Sequence, residues 1–522
     1  MGVYLNRGNA LFMRARRSEI YIDKSEMIEY LNSIIDTEQE YVCVSRPRRF
    51  GKSMTANMIS AYYDRTCDAG NDFDGLRLSY DGDFLLKANK YDTLFINMQE
   101  FLSTSDSMKD LIQDLQKNVI WDLTKEYPDV HLFDSSNMTR TMKDINAASN
   151  RTFVVIIDEW DCIFREYRND TTAQKEYLDF LRAWLKDNAS ISLVYMTGIL
   201  PIKKYGTHSA MNMFSEFSMT NPAKLARFVG FTEDEVDGLC KKYNVDINEV
   251  KNWYDGYHFN NSVSIYSPRS VVMCMLNGVF SDYWNETETF EALKTYIDLN
   301  LTGLRDSIVK LIAGDRQRIN TGSFQNDMTS FSKEDDVLTL LVHLGYLGYD
   351  IDTGEVYIPN RELALEFITA VTSGNEWSEV ADSIECSDKL LEAAWAMDEE
   401  SVARGIKKAH LETSHLQYND ENALSYTISL AFYSARNYYS LVRELPAGKG
   451  FADIAFIPLK KHLDKPAMIV ELKWDKSAET AITQIRDKNY PEALKDYKNN
   501  LLLIGINYDK KTKKHQCRIE KY

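Results

Sequence analysis

A chain of 522 residues with 44% hydrophobic and 27% charged residues has the composition of a folded protein of two or three domains, which excludes general disorder. Its longest apolar runs, such as TFVVII and NLLLIGI, are strand-sized and exclude a membrane-spanning helix. The net charge of -17 excludes a protein that coats nucleic acid indiscriminately, because phosphate would repel it.

That charge is unevenly spread. Residues 421–522 carry 18 Lys and Arg against 12 Asp and Glu, so an acidic protein ends in a basic segment that can receive a polyanion. The seven cysteines form no C-x-x-C pair and show no zinc spacing. MGVYLNRGNALFMRARRSEIYIDK has no apolar core followed by a cleavage site, and Asn6 stands where a myristoylation signal needs Ser or Thr. A cytoplasmic protein with reduced cysteines and no membrane partner is expected.

Along the chain, YVCVS (Tyr41 to Ser45) predicts a strand that leads into RPRRFGKS, and KSMTANMISAYYD then repeats apolar residues at helical spacing. TLFINM, TFVVII and SLVYMT predict further strands, continuously apolar as parallel strands buried on both faces are. Alternation of such strands with helices to about Thr220 predicts an α/β domain with a mostly parallel sheet. TEDEVDGLCKKY predicts a helix opened by a Thr232–Glu235 capping box. In the largely helical region 281–408, DDVLTLLVHLGYLGYDIDTGEVYIPN predicts a helix and then a hairpin around Asp352-Thr353-Gly354. A winged-helix unit ends this way, and so, more commonly, does a sheet-edge hairpin with no DNA role. Residues 409–522 predict a helix over Glu421 to Tyr438, then three strands, a helix from Ser477 and two last strands.

Gly51, Lys52 and Ser53 end RPRRFGKS as a phosphate-binding loop ends, with Arg46 where the usual pattern has its first glycine. Between a strand and a helix, the loop's N–H groups face a phosphate, Lys52 reaches the β and γ oxygens and Ser53 binds Mg²⁺. VVIIDEWD supplies the strand-ending acid: Asp158 for the magnesium shell and Glu159 to polarise an attacking water. Thr197 ends its strand as a polar sensor of the γ-phosphate or as a turn residue. Arg48 and Arg49 either pair with phosphate or form a solvated turn, and Arg165, Arg168 and Arg182 are equally eligible to stabilise the transferred phosphate.

YIDKSEMI, RPRRFGKS, VVIIDEWD, MTGILPI, NWYDGYHF and IYSPRSV resemble, in order, the motifs of the AAA-ATPase-like domain family. There the loop typically reads R-P-R-R-F-G-K-S, so Arg46 is a family trait. The resemblance runs over residues 1–280 and implies a P-loop NTPase-like fold there that binds ATP.

In GKGFADIAF and MIVELKWD, Asp453 lies on one strand and Glu471 and Lys473 on the next, two apart and hence on one face. A hairpin would bring Asp453 level with Glu471, and an acid and a lysine turned inward together are costly unless something charged sits between them. Mg²⁺ held by Asp453, Glu471 and the Leu472 carbonyl meets that need, with Lys473 acting on a water and on the phosphorane charge. Gln484 is placed to fix Lys473 or the substrate, and Glu421 to complete a second metal position. This segment resembles the PD-(D/E)XK nuclease superfamily, in the form fused behind AAA-ATPase-like domains. Asp453, Glu471 and Lys473 match its catalytic positions, and Gln484 with Tyr490 its later Q-to-Y motif. Phe451 replaces the arginine of the usual G-x-G-R-x-D. The resemblance implies a restriction-endonuclease-like α/β fold.

Together these features predict an ATP-binding protein whose nuclease domain cleaves nucleic acid, DNA before RNA, under nucleotide control. The alternative is an ATP-responsive nucleic-acid-binding or signalling protein that does not cut. The oligomeric state stays open.

Overall fold

The computed structural model describes residues 2–205, 208–209, 211–259, 263–285, 290–374, 376–412, 421–447 and 450–522, with the side chains of 204–205, 208–209, 379, 411–412 and 421–423 outside that description. The chain forms two compact units, 1–289 with 318–364 and 290–317 with 365–522. The stretch 281–408, read from the sequence as a middle region, is shared between them.

The first unit is built on five strands, β1 (Tyr41–Ser45), β2 (Asp92–Asn97), β3 (Phe153–Asp158), β4 (Ile191–Gly198) and β5 (Ser215–Phe217), paired in parallel in the order 2-3-4-1-5. Every residue of β1, β3 and β4 is buried, which is why their sequences run apolar without alternation. The register sets Asp158 beside Thr197 and Asn97, and Thr197 beside Val44. The carboxyl ends of β1 to β4 thus open on one crevice, where ligands of open α/β sheets bind. At the outer edge Leu5 bridges antiparallel to Leu94.

The capping box forms as expected, with Thr232 N–H donating to Glu235 at 2.7 Å at the start of helix Glu233–Tyr243. Helix Glu334–Leu344 is followed by the hairpin Gly348–Asp350 and Glu355–Tyr357. That hairpin is fastened to residues 256–258: Tyr357 donates to the Gly256 carbonyl at 2.9 Å, and the His258 ring stacks on Tyr357. Gly256 has φ 117, and a Cβ there would lie 2.2 Å from the Pro359 carbonyl, so only glycine fits.

The second unit carries β6 (Tyr439–Ala447), β7 (Gly450–Pro458), β8 (Ala467–Trp474), β9 (Leu501–Asp509) and β10 (Lys514–Lys521) in sequential order. All pairs are antiparallel except β8 with β9. That parallel step is bridged by helix Ala478–Asp487, capped by Ser477. One core includes Leu424, Ile428, Ile454, Phe456, Met468 and Val470, and another Ile469, Ile482, Ile485, Tyr490 and Leu503. The helix expected over Glu421 to Tyr438 ends at Ala431 and gives way to a 3₁₀ turn over Tyr433–Asn437.

Candidate functional sites

The phosphate loop is preformed. Helix Lys52–Tyr63 starts behind Gly51, whose φ of 92 is left-handed. Arg49 is left-handed as well, at φ 65, and Arg46 is not. Arg46 instead prolongs β1, its N–H donating to the Gly198 carbonyl at 3.0 Å. The entrance of this loop therefore needs no glycine at position 46.

The side chain of Arg46, read from the sequence as nucleotide-binding, is turned inward and fully buried. Its guanidinium donates to the carbonyls of Ser45 and Phe217 and lies over the Phe259 ring. Only its backbone meets the site: Lys52 Nζ donates to the carbonyls of Arg46 and Pro47 at 3.0 and 2.9 Å. Lys52 is buried, and burial lowers its pKa while Glu159, Asp161 and Asp158 oppose the shift. Arg48 and Arg49 are exposed.

Facing the loop, Asp158 is buried and its pKa is raised by that burial, against a hydrogen bond from Ser53. Ser53 and Asp158 are thus paired where a phosphate-bound Mg²⁺ needs both oxygens, and the donor set fits that ion. Glu159 has a left-handed backbone, φ 55, and Arg165 donates to its carboxylate. Thr197 is buried, and its hydroxyl has no hydrogen-bond partner among the described residues. Sequence reasoning missed Asp161, the last acid of DEWD, which accepts the N–H groups of Ile199 and Leu200 at 3.1 and 2.9 Å. It fastens the turn after β4, and a Cβ on Gly198 would lie 2.5 Å from its carboxylate. Of the three eligible arginines, Arg165 alone lines the crevice; Arg168 donates to the Arg165 carbonyl and Arg182 pairs with Asp179 on the surface.

The crevice is an open cavity of about 870 Å³. Arg48 to Thr55, Glu159 and Arg165 line it together with the apolar Ile20, Ile22, Phe231, Val272 and Leu276. A cavity that offers both phosphate-binding groups and apolar side chains has the mixed lining a nucleotide needs.

In the second unit, β7 pairs with β8 from Phe456 to Ile454, opposite Val470, and the ladder stops there. The next position is Asp453, level with Glu471 as the sequence predicts, but its carboxylate takes the Leu472 N–H at 2.6 Å. On its other side the β6–β7 pairing skips Glu444 and Asp453, and Glu444 is left-handed at φ 50. Asp453 thus sits where both ladders are interrupted, with the register of its pairing to β6 unchanged on either side.

Glu471 is buried, and Lys473 Nζ donates to it at 2.9 Å and to the Leu472 carbonyl at 2.8 Å. Gln484 also donates to Glu471 and approaches the Tyr490 hydroxyl at 3.4 Å. The structure brings together Asp453, Glu471, Lys473, Gln484 and Tyr490. Glu421 begins its helix, and its side chain lies outside the described residues. Phe451 is exposed. The sequence reading did not single out Lys488, whose charge reaches Glu471.

Burial and then the charge of Asp453 push the Glu471 carboxyl up to about 7, while Lys473 and Lys488 pull it down. Its second oxygen is buried with no hydrogen-bond partner among the described residues. An orphaned carboxylate oxygen beside a second carboxylate fits a divalent cation, so Asp453 and Glu471 would hold Mg²⁺ here. Without metal, the stabilising form of Glu471 is the protonated one. Its contribution is complete below the usual 4.5 and is lost as pH rises through about 7. Protons therefore compete with Mg²⁺ below pH 7. In calorimetry of the nucleotide-free protein, Mg²⁺ is expected to raise the melting temperature more at pH 8 than at pH 6, and Glu471→Gln to remove most of that difference. A difference unchanged in the variant would show that Glu471 is not the ligand.

The family described as predicted AAA-ATPase matches residues 11–207, and the PD-(D/E)XK nuclease superfamily matches residues 420–517. The chain joins a predicted AAA-ATPase domain to a PD-(D/E)XK nuclease superfamily domain. The AAA-ATPase match holds the phosphate loop, Asp158, Glu159 and Thr197, and ends before NWYDGYHF and IYSPRSV, which the sequence resemblance included. The nuclease-superfamily match holds every residue of the second cluster.

No curated protein matches the chain. Solved structures are similar only distantly. The Walker-type ATPase of Pyrococcus abyssi is 15% identical, with 66% of this chain and 94% of that one covered and a TM-score of 0.34. The ORC2 protein of Aeropyrum pernix, in ADPNP and ADP complexes, is 10% identical over 70% of this chain and 99% of its own, with a TM-score of 0.27. The ORC1 protein of Aeropyrum pernix in complex with DNA is 10% identical over 88% and 96%, with a TM-score of 0.26.

Proposed function

We propose that this protein is an ATP-binding, Mg²⁺-dependent nuclease that cleaves DNA phosphodiester bonds under the control of its nucleotide site. The observation that carries the reading is the Asp453, Glu471 and Lys473 cluster at the interrupted β7–β8 ladder, where a buried carboxylate and a buried lysine share one face. Mg²⁺ bound between Asp453 and Glu471 would supply Lewis-acid charge to a phosphate oxygen. Lys473 holds an ammonium beside that oxygen, where it orients the attacking water and offsets the negative charge that develops on phosphorus. Gln484 holds Glu471 in place and is itself hydrogen-bonded to the Tyr490 hydroxyl. The 18 Lys and Arg of residues 421–522 supply the positive field that draws a polyanion to the site.

In the AAA-ATPase domain, Lys52, Ser53 and Asp158 bind MgATP, and Glu159 activates water for its hydrolysis. A cytoplasmic location suits seven free cysteines. Among the described residues no helix is long and apolar enough to cross a membrane. The test is incubation of the purified protein with single-stranded, duplex and branched DNA, with and without Mg²⁺. Cleavage of at least one substrate only with Mg²⁺ is expected. Binding without cleavage on every substrate would favour the non-cutting alternative.

A further inference from the structure

We propose that Arg165 is the γ-phosphate sensor of the nucleotide site, acting from within the same chain, and that it exchanges Glu159 for the terminal phosphate when ATP binds. The inference rests on the ATP-binding reading above and concerns which residue distinguishes ATP from ADP.

Arg165 lies on the short helix Cys162–Glu166 that follows β3, and only 8% of its side chain is exposed. It lines the same cavity as Lys52, Ser53 and Glu159. Its Nη2 donates to Glu159, and its Nε stands 3.5 Å from Asp161. That Nε has no hydrogen-bond partner among the described residues, and the Asp161 oxygen it faces accepts the N–H groups of Ile199 and Leu200. Arg165 is thus a buried guanidinium in the cavity wall, hydrogen-bonded to one working carboxylate, Glu159, and ion-paired with a second, Asp161.

The pairing has a chemical consequence. The Glu159 oxygen that accepts from Arg165 is occupied by that hydrogen bond, so it is not turned toward a water beside the phosphate while Arg165 holds it. A terminal phosphate is a stronger competitor for the fork than a single carboxylate, since it carries more charge and presents oxygens in bidentate geometry. Lys52, Ser53 and Asp158 fix where that phosphate arrives, in the cavity that Arg165 lines. Exchange moves the Arg165 fork from Glu159 to the terminal phosphate. It frees Glu159 only when a third phosphate is present, so the empty and the ADP-bound sites keep their base paired.

Binding of MgATP, MgADP and MgADP with aluminium fluoride is to be measured by calorimetry for the wild type, Arg165→Ala and Arg165→Lys. The wild type is expected to hold the aluminium fluoride complex at least about a hundredfold more tightly than MgADP. Arg165→Ala loses most of that preference while its MgADP affinity stays within about twofold. Arg165→Lys, which keeps the charge without the fork, falls between them. A preference retained in Arg165→Ala, or faster ATP hydrolysis by that variant, overturns the proposal and leaves Arg165 as a clamp on Glu159 alone. A wild type that binds none of the three would remove the nucleotide-site reading itself, and the sensor with it.

Discussion

Asp453→Asn is expected to reduce DNA cleavage at saturating Mg²⁺ by at least about a thousandfold, the several kcal/mol that a correctly held metal supplies. The fold should survive. Asparagine keeps an oxygen to accept the Leu472 N–H, which Asp453 takes at 2.6 Å, so the link across the interrupted ladder is kept. The variant also loses a charge that raises the Glu471 pKa. Above pH 7 in the absence of metal, the buried Glu471 is then less strongly opposed, and the protein should melt at the wild-type temperature or slightly above it. Binding of uncleaved DNA in the absence of Mg²⁺ should persist, because phosphate attraction comes from the basic surface of the domain. Lys473→Ala is the companion variant, which keeps both carboxylates and removes the ammonium 2.9 Å from Glu471. If both cleave at the wild-type rate, the cluster is not catalytic.

The second large effect concerns Glu159. Glu159→Gln should bind MgATP as the wild type does and hydrolyse it roughly a hundredfold or more slowly, since the amide cannot accept the proton of water. Glutamine keeps a carbonyl oxygen for Arg165, so the local pairing is preserved and only basicity is lost. Single-turnover hydrolysis at saturating ATP is the measurement. An unchanged rate would assign the water to another group, or show that Glu159 is held by Arg165 throughout.

Much of the nucleotide site is legible in the sequence because it is local along the chain. A strand, a Gly51-Lys52-Ser53 loop and a helix follow one another directly, and Asp158 ends a strand whose apolar run announces its burial in the sheet. The relation of Asp453 to Glu471 was legible for the same reason, as the register of one hairpin. What failed to show in the sequence depends on partners far along the chain. The inward turn of Arg46 needs the Phe217 carbonyl of an edge strand, 171 residues away, and no local pattern reveals it. The role of Asp161 needs the N–H groups of Ile199 and Leu200, although a third acid after a strand-ending Asp-Glu pair was a signal to weigh. The interruption of the ladder at Asp453 lies opposite a left-handed Glu444 on the neighbouring strand, a conformation that glutamate composition does not advertise. Residues 318–364 join the first unit through contacts such as Tyr357 to Gly256, 101 positions apart. The helix that begins at Glu421 stops early where Phe432 and Ala435 join the core in a tighter turn.

The central claim is that one chain couples a nucleotide site to a nuclease site, and the most direct measurement is the rate of DNA cleavage at saturating Mg²⁺ with and without ATP, in the wild type and in Lys52→Ala. Lys52→Ala should lose about 1.5 to 3 kcal/mol of ATP affinity, the worth of a charge-assisted contact to phosphate. The account predicts a wild-type rate that changes at least severalfold on adding ATP, and a Lys52→Ala rate equal to that of the nucleotide-free wild type whether ATP is present or not. A wild-type rate that is the same with and without ATP, or an ATP effect that survives intact in Lys52→Ala, would contradict it.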